Sequence, residues 1–132
     1  MRETGLAKSI GEGLANTLNV SSLIAITIVC VVIAVIISET TSNTASAAIV
    51  VPIAIAISGA VQVDPVIPAM AAIFGANYGF MLPVSTPPNA IVYGTGLVPI
   101  PRMMRAGILF DLIGLLVVWA ALRVLCPLLG LS

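Results

Sequence analysis

The stretch Ser38-Glu39-Thr40-Thr41-Ser42-Asn43-Thr44 places seven polar residues in a row between two apolar runs. Residues 20–37 upstream and residues 45–57 downstream carry no charge. The second run is short for a helix that crosses a bilayer, which needs about 20 apolar residues. The pattern therefore predicts a re-entrant helical hairpin over residues 20–58 with its polar tip at 38–44. Because non-helical backbone at membrane depth must be covered by protein or line a water-filled cavity, this tip is a candidate binding site.

The composition indicates a membrane protein. Of the 132 residues, 60% are hydrophobic and only 8% are charged, and the mean hydropathy is +1.22. These values exclude an ordinary soluble domain. The five basic and five acidic residues give no net charge, and no basic tract indicates a nucleic-acid partner. No nucleophile–base pair or soluble-enzyme motif is visible. We therefore predict an all-α, multi-pass protein of the cell membrane that is not an enzyme and has no cofactor.

The rest of the chain predicts three further elements. Residues 5–18 carry apolar side chains four apart and predict a short interfacial helix. Two apolar runs at 66–82 and 90–98 are separated by Pro83 and by the pair Pro87-Pro88. Consecutive prolines cannot lie inside a helix, although proline is favoured at its first position. We therefore predict one broken transmembrane helix over residues 66–98, with its break at 83–89 and a restart near Pro87.

A last apolar run predicts a final transmembrane helix over residues 106–127. The preceding residues 99–105 contain Arg102 and Arg105 without an acidic residue, which predicts a loop on the cytoplasmic side. Asp111 lies about one turn into this helix. It either reaches the interface or pairs with Arg105, and a role as an ion ligand is the less expected alternative. The whole chain, residues 1–132, is then predicted to be a single domain, and its short length for a multi-pass protein suggests a part of a larger one.

The two polar breaks suggest one binding site, because paired interruptions of spanning segments mark transporter sites near the membrane midplane. Each break is followed by a helix start, near Thr44 and Pro87, whose free N–H groups and dipole stabilise an anion such as a carboxylate. Each break also follows a helix end with free carbonyls, which suit a small cation such as Na⁺. The side-chain oxygens available to that cation belong to Ser38, Thr40, Thr41, Asn43 and Ser85.

Two points stay open at this level. Glu39 is the only ionisable residue in the breaks, and it is either protonated, bonded to backbone or a structural anchor. Ser42 and Asn43 are also favoured helix caps, a role that is compatible with ligand binding.

At these breaks the sequence resembles the divalent anion:sodium symporter family, which carries dicarboxylates and citrate. The matching residues are Ser42-Asn43-Thr44, followed by Ala-Ser-Ala-Ala and Pro52, and the run Phe80-Met-Leu-Pro-Val-Ser-Thr-Pro-Pro-Asn-Ala-Ile-Val-Tyr-Gly-Thr-Gly96. The resemblance implies that the chain is the C-terminal part of the second of two inverted repeats. It also implies contacts to a substrate carboxylate and to one Na⁺. The implied substrate residues are Ser42, Asn43, Thr44, Thr86 and Pro87, and the implied sodium ligands are Ser38, Thr41, Asn43 and Ser85.

The resemblance therefore predicts a fragment or half of a secondary active transporter for succinate-, malate- or citrate-like anions, with Na⁺ as the co-transported ion. It implies that the N-terminal repeat is missing from this chain and that the complete transporter is a homodimer in the lipid bilayer. Two alternatives remain open. One is a dicarboxylate exchanger that does not use Na⁺, and the other is a truncated membrane subunit that does not transport.

Overall fold

The computed structural model describes residues 22–128, together with residues 5, 9, 10, 13, 17 and 130. This part of the chain is all-α, as predicted, and contains no strand. Most of the predicted interfacial helix over residues 5–18 lies outside the described residues. The helices are α1 (Leu23–Thr40), α2 (Asn43–Ala60), α3 (Val66–Gly75), α4 (Pro87–Gly94) and α5 (Ile100–Leu128).

Three of the helices, α1, α2 and α5, are long and apolar enough to cross a membrane. Helix α2 has 18 residues, which corresponds to about 27 Å, close to the roughly 30 Å hydrocarbon core. The expectation that the second arm is too short to cross is therefore wrong, because the helix also takes in polar residues at its start and small residues at its end. The re-entrant course of the α1–α2 hairpin stays a prediction.

The hairpin tip is shorter than the predicted span of 38–44, since only Thr41 and Ser42 lie outside the helices. The Thr41 amide donates to the Ile37 carbonyl at 3.1 Å and closes α1. The Ser42 hydroxyl accepts from the Ala45 amide at 3.2 Å and caps α2. Ser38, Glu39 and Thr40 continue α1, and Asn43 and Thr44 begin α2. The Ser38 and Glu39 side chains bond to groups outside α1 and do not compete for their own helix backbone.

Two rows of side chains on α1, each four residues apart, form the core. The row Ile26, Cys30 and Ala34 packs against α2 and α3 in a first buried cluster. The row Val31 and Val35 packs against α3 and α5 in a second cluster. Extending each row by four residues reaches Ser38 and Glu39, since side chains at i and i+4 share a face. Both polar residues are consequently buried, with 0% and 3% of their surfaces exposed.

The first half of the predicted broken helix ends at Gly75, not near Leu82. Asn77 and Tyr78 turn the chain there: the Asn77 side chain donates to the Ile73 carbonyl at 2.9 Å, and the Tyr78 amide donates to the Gly75 carbonyl at 3.0 Å. The break is therefore longer than the predicted 83–89 and covers residues 76–86, here called the unwound segment. The predicted restart is confirmed, since Thr86 is the N-cap of α4 and Pro87 is its first residue.

Helix α5 begins at Ile100, so that Arg102 and Arg105 lie in a helix and not in the predicted loop over residues 99–105. Pro101 does not prevent this, because the amides of a first helical turn have no intrahelical partner. The helix presents one buried stripe to the rest of the fold: Met103, Gly107, Asp111, Gly114, Val118, Leu122 and Cys126. A Cβ atom at Gly107 would overlap the Met81 backbone, and one at Gly114 would overlap the Tyr78 ring. The two glycines thus let the unwound segment lie directly on α5.

Candidate functional site

The hairpin tip and the unwound segment meet at the C-terminal end of α1. The Ser38 hydroxyl lies 2.7 Å from the Ala76 carbonyl and 3.0 Å from the amide oxygen of Asn43. Ala76 is the first residue after α3, and Asn43 is the first residue of α2. One buried hydroxyl therefore connects the end of one half-helix to the start of another.

Glu39 fixes the middle of the unwound segment. Its carboxylate accepts from the Met81 amide at 3.0 and 3.1 Å and from the Leu82 amide at 3.0 Å. The Ser85 hydroxyl lies 2.9 Å from both the Glu39 carboxylate and the Glu39 carbonyl. Of the alternatives that the sequence left open for Glu39, the structure shows bonding to backbone. This bonding matters because Met81 and Leu82 are half-buried, and amides outside a helix that are shielded from water need another acceptor.

Thr41 and Ser46 form a second pair of oxygens at the tip. The Thr41 hydroxyl donates to the Ile37 carbonyl at 2.9 Å and lies 2.7 Å from the Ser46 hydroxyl. Ser46 is completely buried and was missed in the sequence. Its signal was its place in the first turn of α2, four residues after the cap Ser42, where it faces back toward the tip.

The start of α2 is suited to an anion. Ser42 and Thr44 are exposed and Asn43 is half-buried. The amides of Asn43 and Thr44 have no partner among the residues that the structure describes, as is usual for the first turn of a helix. Free amides at a helix start, together with the helix dipole, can stabilise a carboxylate.

The start of α4 does not present all of the free N–H groups that the sequence predicted there. The Thr86 hydroxyl accepts from the Asn89 amide at 3.4 Å, while Pro87 and Pro88 carry no N–H group. Free amides are therefore lost at this start, and what remains is the half-buried Thr86 hydroxyl and the dipole of α4. Pro87 itself is exposed.

A comparison with known families shows which family the chain belongs to. The family model described as the sodium:sulfate symporter transmembrane region matches residues 1–131. The chain belongs to this family. The resemblance that the motifs around Asn43 and Pro87 indicated is thus confirmed, and the chain is a multi-pass membrane protein of a family of sodium-coupled anion transporters.

Curated relatives agree with the family. The chain is 40% identical over 125 residues to the sodium-dependent dicarboxylate transporter SdcS of Staphylococcus saprophyticus. The aligned residues make up 95% of this chain and 24% of that protein. It is 39% identical over 125 residues to SdcS of Staphylococcus aureus strain MRSA252, with the same two coverages, 95% and 24%. It is 41% identical over 116 residues to SdcS of strain USA300, covering 88% and 22%. The chain thus spans about a quarter of the length of these relatives.

Two further residues of the chain shape the site and were not predicted from the sequence. A Cβ atom at Gly79 would lie 2.9 Å from the Ser38 hydroxyl oxygen, so that only glycine lets the backbone pass this close. The Asn89 side chain donates to the Leu82 carbonyl at 3.1 Å and ties α4 to the unwound segment. Gly79 had a signal in the sequence, since it is a glycine near the end of the apolar run at 66–82, four residues before Pro83.

Proposed function

We propose that this chain is a segment of a secondary active transporter that moves a dicarboxylate together with Na⁺. The observation that carries the proposal is the Ser38 hydroxyl, which lies between the Asn43 amide oxygen and the Ala76 carbonyl. Because of this contact, the hairpin tip and the unwound segment contribute to a single polar cluster. Paired helix interruptions of this kind suit a substrate and its coupling ion.

The substrate part of the proposal rests on the start of α2. Ser42, Asn43 and Thr44 offer hydroxyl, amide and backbone N–H donors to one carboxylate of the substrate. Thr86, with Pro87 beside it, adds a hydroxyl and the dipole of α4. A second substrate carboxylate needs donors from elsewhere, and we assign them to the first inverted repeat. Succinate-, malate- and citrate-like anions fit this description.

The sodium part rests on neutral oxygen donors. Ser38, Thr41, Asn43 and Ser85 contribute side-chain oxygens, and the helix ends at Ala76 and Thr40 contribute carbonyls nearby. Neutral oxygens bind a monovalent cation and release it again, as transport requires. The Na⁺ ion lies beside the substrate carboxylate and offsets part of its charge. In this proposal the hairpin is re-entrant and the complete transporter is a homodimer in the bilayer.

The central experiment measures uptake of labelled succinate by proteoliposomes that contain the complete protein. Uptake that is larger in sodium than in choline supports the proposal. Equal uptake in both salts that requires a preloaded dicarboxylate identifies an exchanger that does not use Na⁺. If neither sodium nor a preloaded dicarboxylate produces uptake above that of protein-free liposomes, the transport proposal is refuted and a non-transporting subunit remains.

Matched serine and threonine variants test the two sites separately. Ser38→Ala is expected to raise the KM for Na⁺ about tenfold, because one lost hydrogen-bonding oxygen corresponds to about 1.4 kcal/mol. Its control is Ser58→Ala, which removes an equally buried hydroxyl that bonds within α2. Thr86→Ala is expected to raise the KM for succinate, whereas Thr95→Ala, at the other end of α4, leaves it unchanged. Equal effects within either pair would contradict the assigned site.

A further inference from the structure

A groove separates α4 from the first turns of α5 and opens beside the unwound segment. Its volume is about 430 Å³, which is within the range of about 300–1,000 Å³ that small-molecule sites cover. Val92 of α4 lines one side, Ala106 and Phe110 of α5 line the other, and Phe80 of the unwound segment completes the lining. No residue of α4 is buried, so the described part of the chain leaves this groove open.

One end of the groove carries a positive charge. Arg102 lines it from the first turn of α5 and is exposed. The α5 wall runs from Arg102 to Phe110, which corresponds to about 12 Å of helix. At the far end the Phe80 and Phe110 rings form an edge-to-face pair with their centroids 6.2 Å apart. The groove is therefore an apolar slot with a guanidinium group at one end and aromatic rings at the other.

The acidic side chains that the structure describes bond to backbone and do not neutralise Arg102. Glu39 accepts from two amides of the unwound segment, and Asp64 accepts from an amide in its own turn. Asp111, for which the sequence suggested the interface or Arg105, accepts instead from an amide of the unwound segment at 3.3 Å. Because an unpaired charge beside an apolar surface is costly, the end of the groove suits an anion.

The size and position of the groove favour a lipid over a further helix. A helix about 10 Å across would fill roughly 900 Å³ over about 12 Å of its length, which is about twice the volume of the groove. A single acyl chain is thin enough to enter. The positive-inside rule predicts that the start of α5 lies on the cytoplasmic side, where anionic phospholipids are concentrated and where basic pockets between helices bind their headgroups.

We propose that this groove binds an anionic phospholipid of the cytoplasmic leaflet. The lipid phosphate lies against the Arg102 guanidinium group, and one acyl chain lies along Val92 and Ala106 toward the Phe80 and Phe110 rings. The lipid site does not depend on the proposed transport function, because it needs only the bilayer and the two helices. Phosphatidylglycerol is the probe for it, and phosphatidylcholine is the matched lipid without a net charge.

Photo-crosslinking of the complete wild-type protein in phosphatidylcholine nanodiscs tests the site without a substitution. Photoreactive phosphatidylglycerol and photoreactive phosphatidylcholine, each with the reactive group in the acyl chain, are added separately. Mass spectrometry measures the labelling of the peptides that contain Val92 and residues 100–110. Phosphatidylglycerol is expected to label them about fivefold more, which corresponds to the attraction of one cation near the surface. Equal labelling by the two probes, or labelling by neither, overturns the proposal.

A competition separates a lipid from a soluble phosphate. Unlabelled phosphatidylglycerol is expected to suppress the labelling of the wild-type protein, whereas the same concentration of glycerol phosphate, which has no acyl chain, leaves it unchanged. If glycerol phosphate suppresses the labelling equally, the groove binds a soluble anion and the lipid assignment is overturned. Both measurements use the wild-type protein, so they decide the proposal even where a variant fails to fold.

Matched arginine variants test the charge. Arg102→Gln is expected to lower the phosphatidylglycerol labelling about fivefold and to leave the phosphatidylcholine labelling unchanged. The control Arg123→Gln removes an exposed cation near the other end of α5 and is expected to leave the labelling of the groove unchanged. No decrease in Arg102→Gln, or an equal decrease in both variants, overturns the role of Arg102.

Matched alanine variants test the place of the acyl chain. Ala106→Phe fills the slot and keeps Arg102, and it is expected to lower the labelling by both probes more than about tenfold, since each displaced methylene group corresponds to about fourfold. The control Ala120→Phe adds the same ring to an exposed position about 21 Å further along α5 and is expected to change nothing. Unchanged labelling in Ala106→Phe shows that the chain does not lie in the groove and overturns the proposal.

Discussion

Replacing Glu39 by glutamine removes the charge that fixes the unwound segment while preserving the shape of the side chain. In the structure the carboxylate receives hydrogen bonds from the Met81 amide, the Leu82 amide and the Ser85 hydroxyl. A hydrogen bond to an ionised group contributes about 1.5–3 kcal/mol, against about 0.5–1.5 kcal/mol for a neutral one. The loss of charge assistance over three donors therefore costs roughly 3 kcal/mol. The lower desolvation cost of a neutral amide offsets part of this loss.

The local opening of the segment should become roughly ten- to a hundredfold more frequent, since 1.4 kcal/mol corresponds to a factor of ten. The assay is hydrogen–deuterium exchange of the Met81 and Leu82 amides in the protein in nanodiscs, because these amides lose their acceptor when the segment opens. Thr40→Ala is the control, since Thr40 is exposed and its hydroxyl bonds only within α1. If Glu39→Gln leaves the exchange of both amides within about threefold of wild type, the carboxylate does not hold the segment and the reasoning is refuted.

Three glycine substitutions test the remaining packing. Gly79→Ala places a methyl group 2.9 Å from the Ser38 hydroxyl oxygen; we expect about 1–3 kcal/mol of destabilisation in thermal unfolding, with weaker Na⁺ binding. Gly114→Ala overlaps the Tyr78 ring and should destabilise the protein by a similar amount, about 1–3 kcal/mol. The double variant with Tyr78→Ala should regain part of this stability, because the smaller side chain removes the overlap. Gly59→Ala meets no atom within 4 Å in α2 and should stabilise the protein by about 0.5–1 kcal/mol. An unchanged melting temperature in Gly79→Ala, or a lowered one in Gly59→Ala, would contradict these expectations.

The general architecture could be predicted from the sequence because its signals are local. A polar stretch between two apolar runs predicted the α1–α2 hairpin, and the prolines at 87 and 88 predicted the start of α4. The helix ends could not be predicted in the same way. Ser38 and Glu39 stay helical because their side chains bond to Ala76 and Met81, which lie about forty residues further along the chain. A local pattern contains no information about such partners.

The candidate site was predicted in part for the same reason. The structure brings the predicted residues Ser38, Asn43 and Ser85 to one end of α1. The backbone groups that complete the site, among them the Ala76 carbonyl and the Leu82 amide, carry no side-chain signal. They become available because α3 ends at Gly75, which is several residues earlier than its apolar run suggests. Sequence patterns therefore predict which side chains lie at a break better than they predict where the break begins.

The packing of α1 and the chemistry of the break are not independent. Ser38 continues the row of Ala34, which packs with α2 and α3, and Glu39 continues the row of Val35, which packs with α5. A rotation of α1 by one residue, about 100°, would remove both polar side chains from their partners at once. The two apolar clusters thus fix the rotation of α1, and that rotation fixes the site. In the proposed transport function, movement of the hairpin is therefore expected to carry α1 and the unwound segment together, because separating them would break the apolar contacts and the Glu39 hydrogen bonds in the same step.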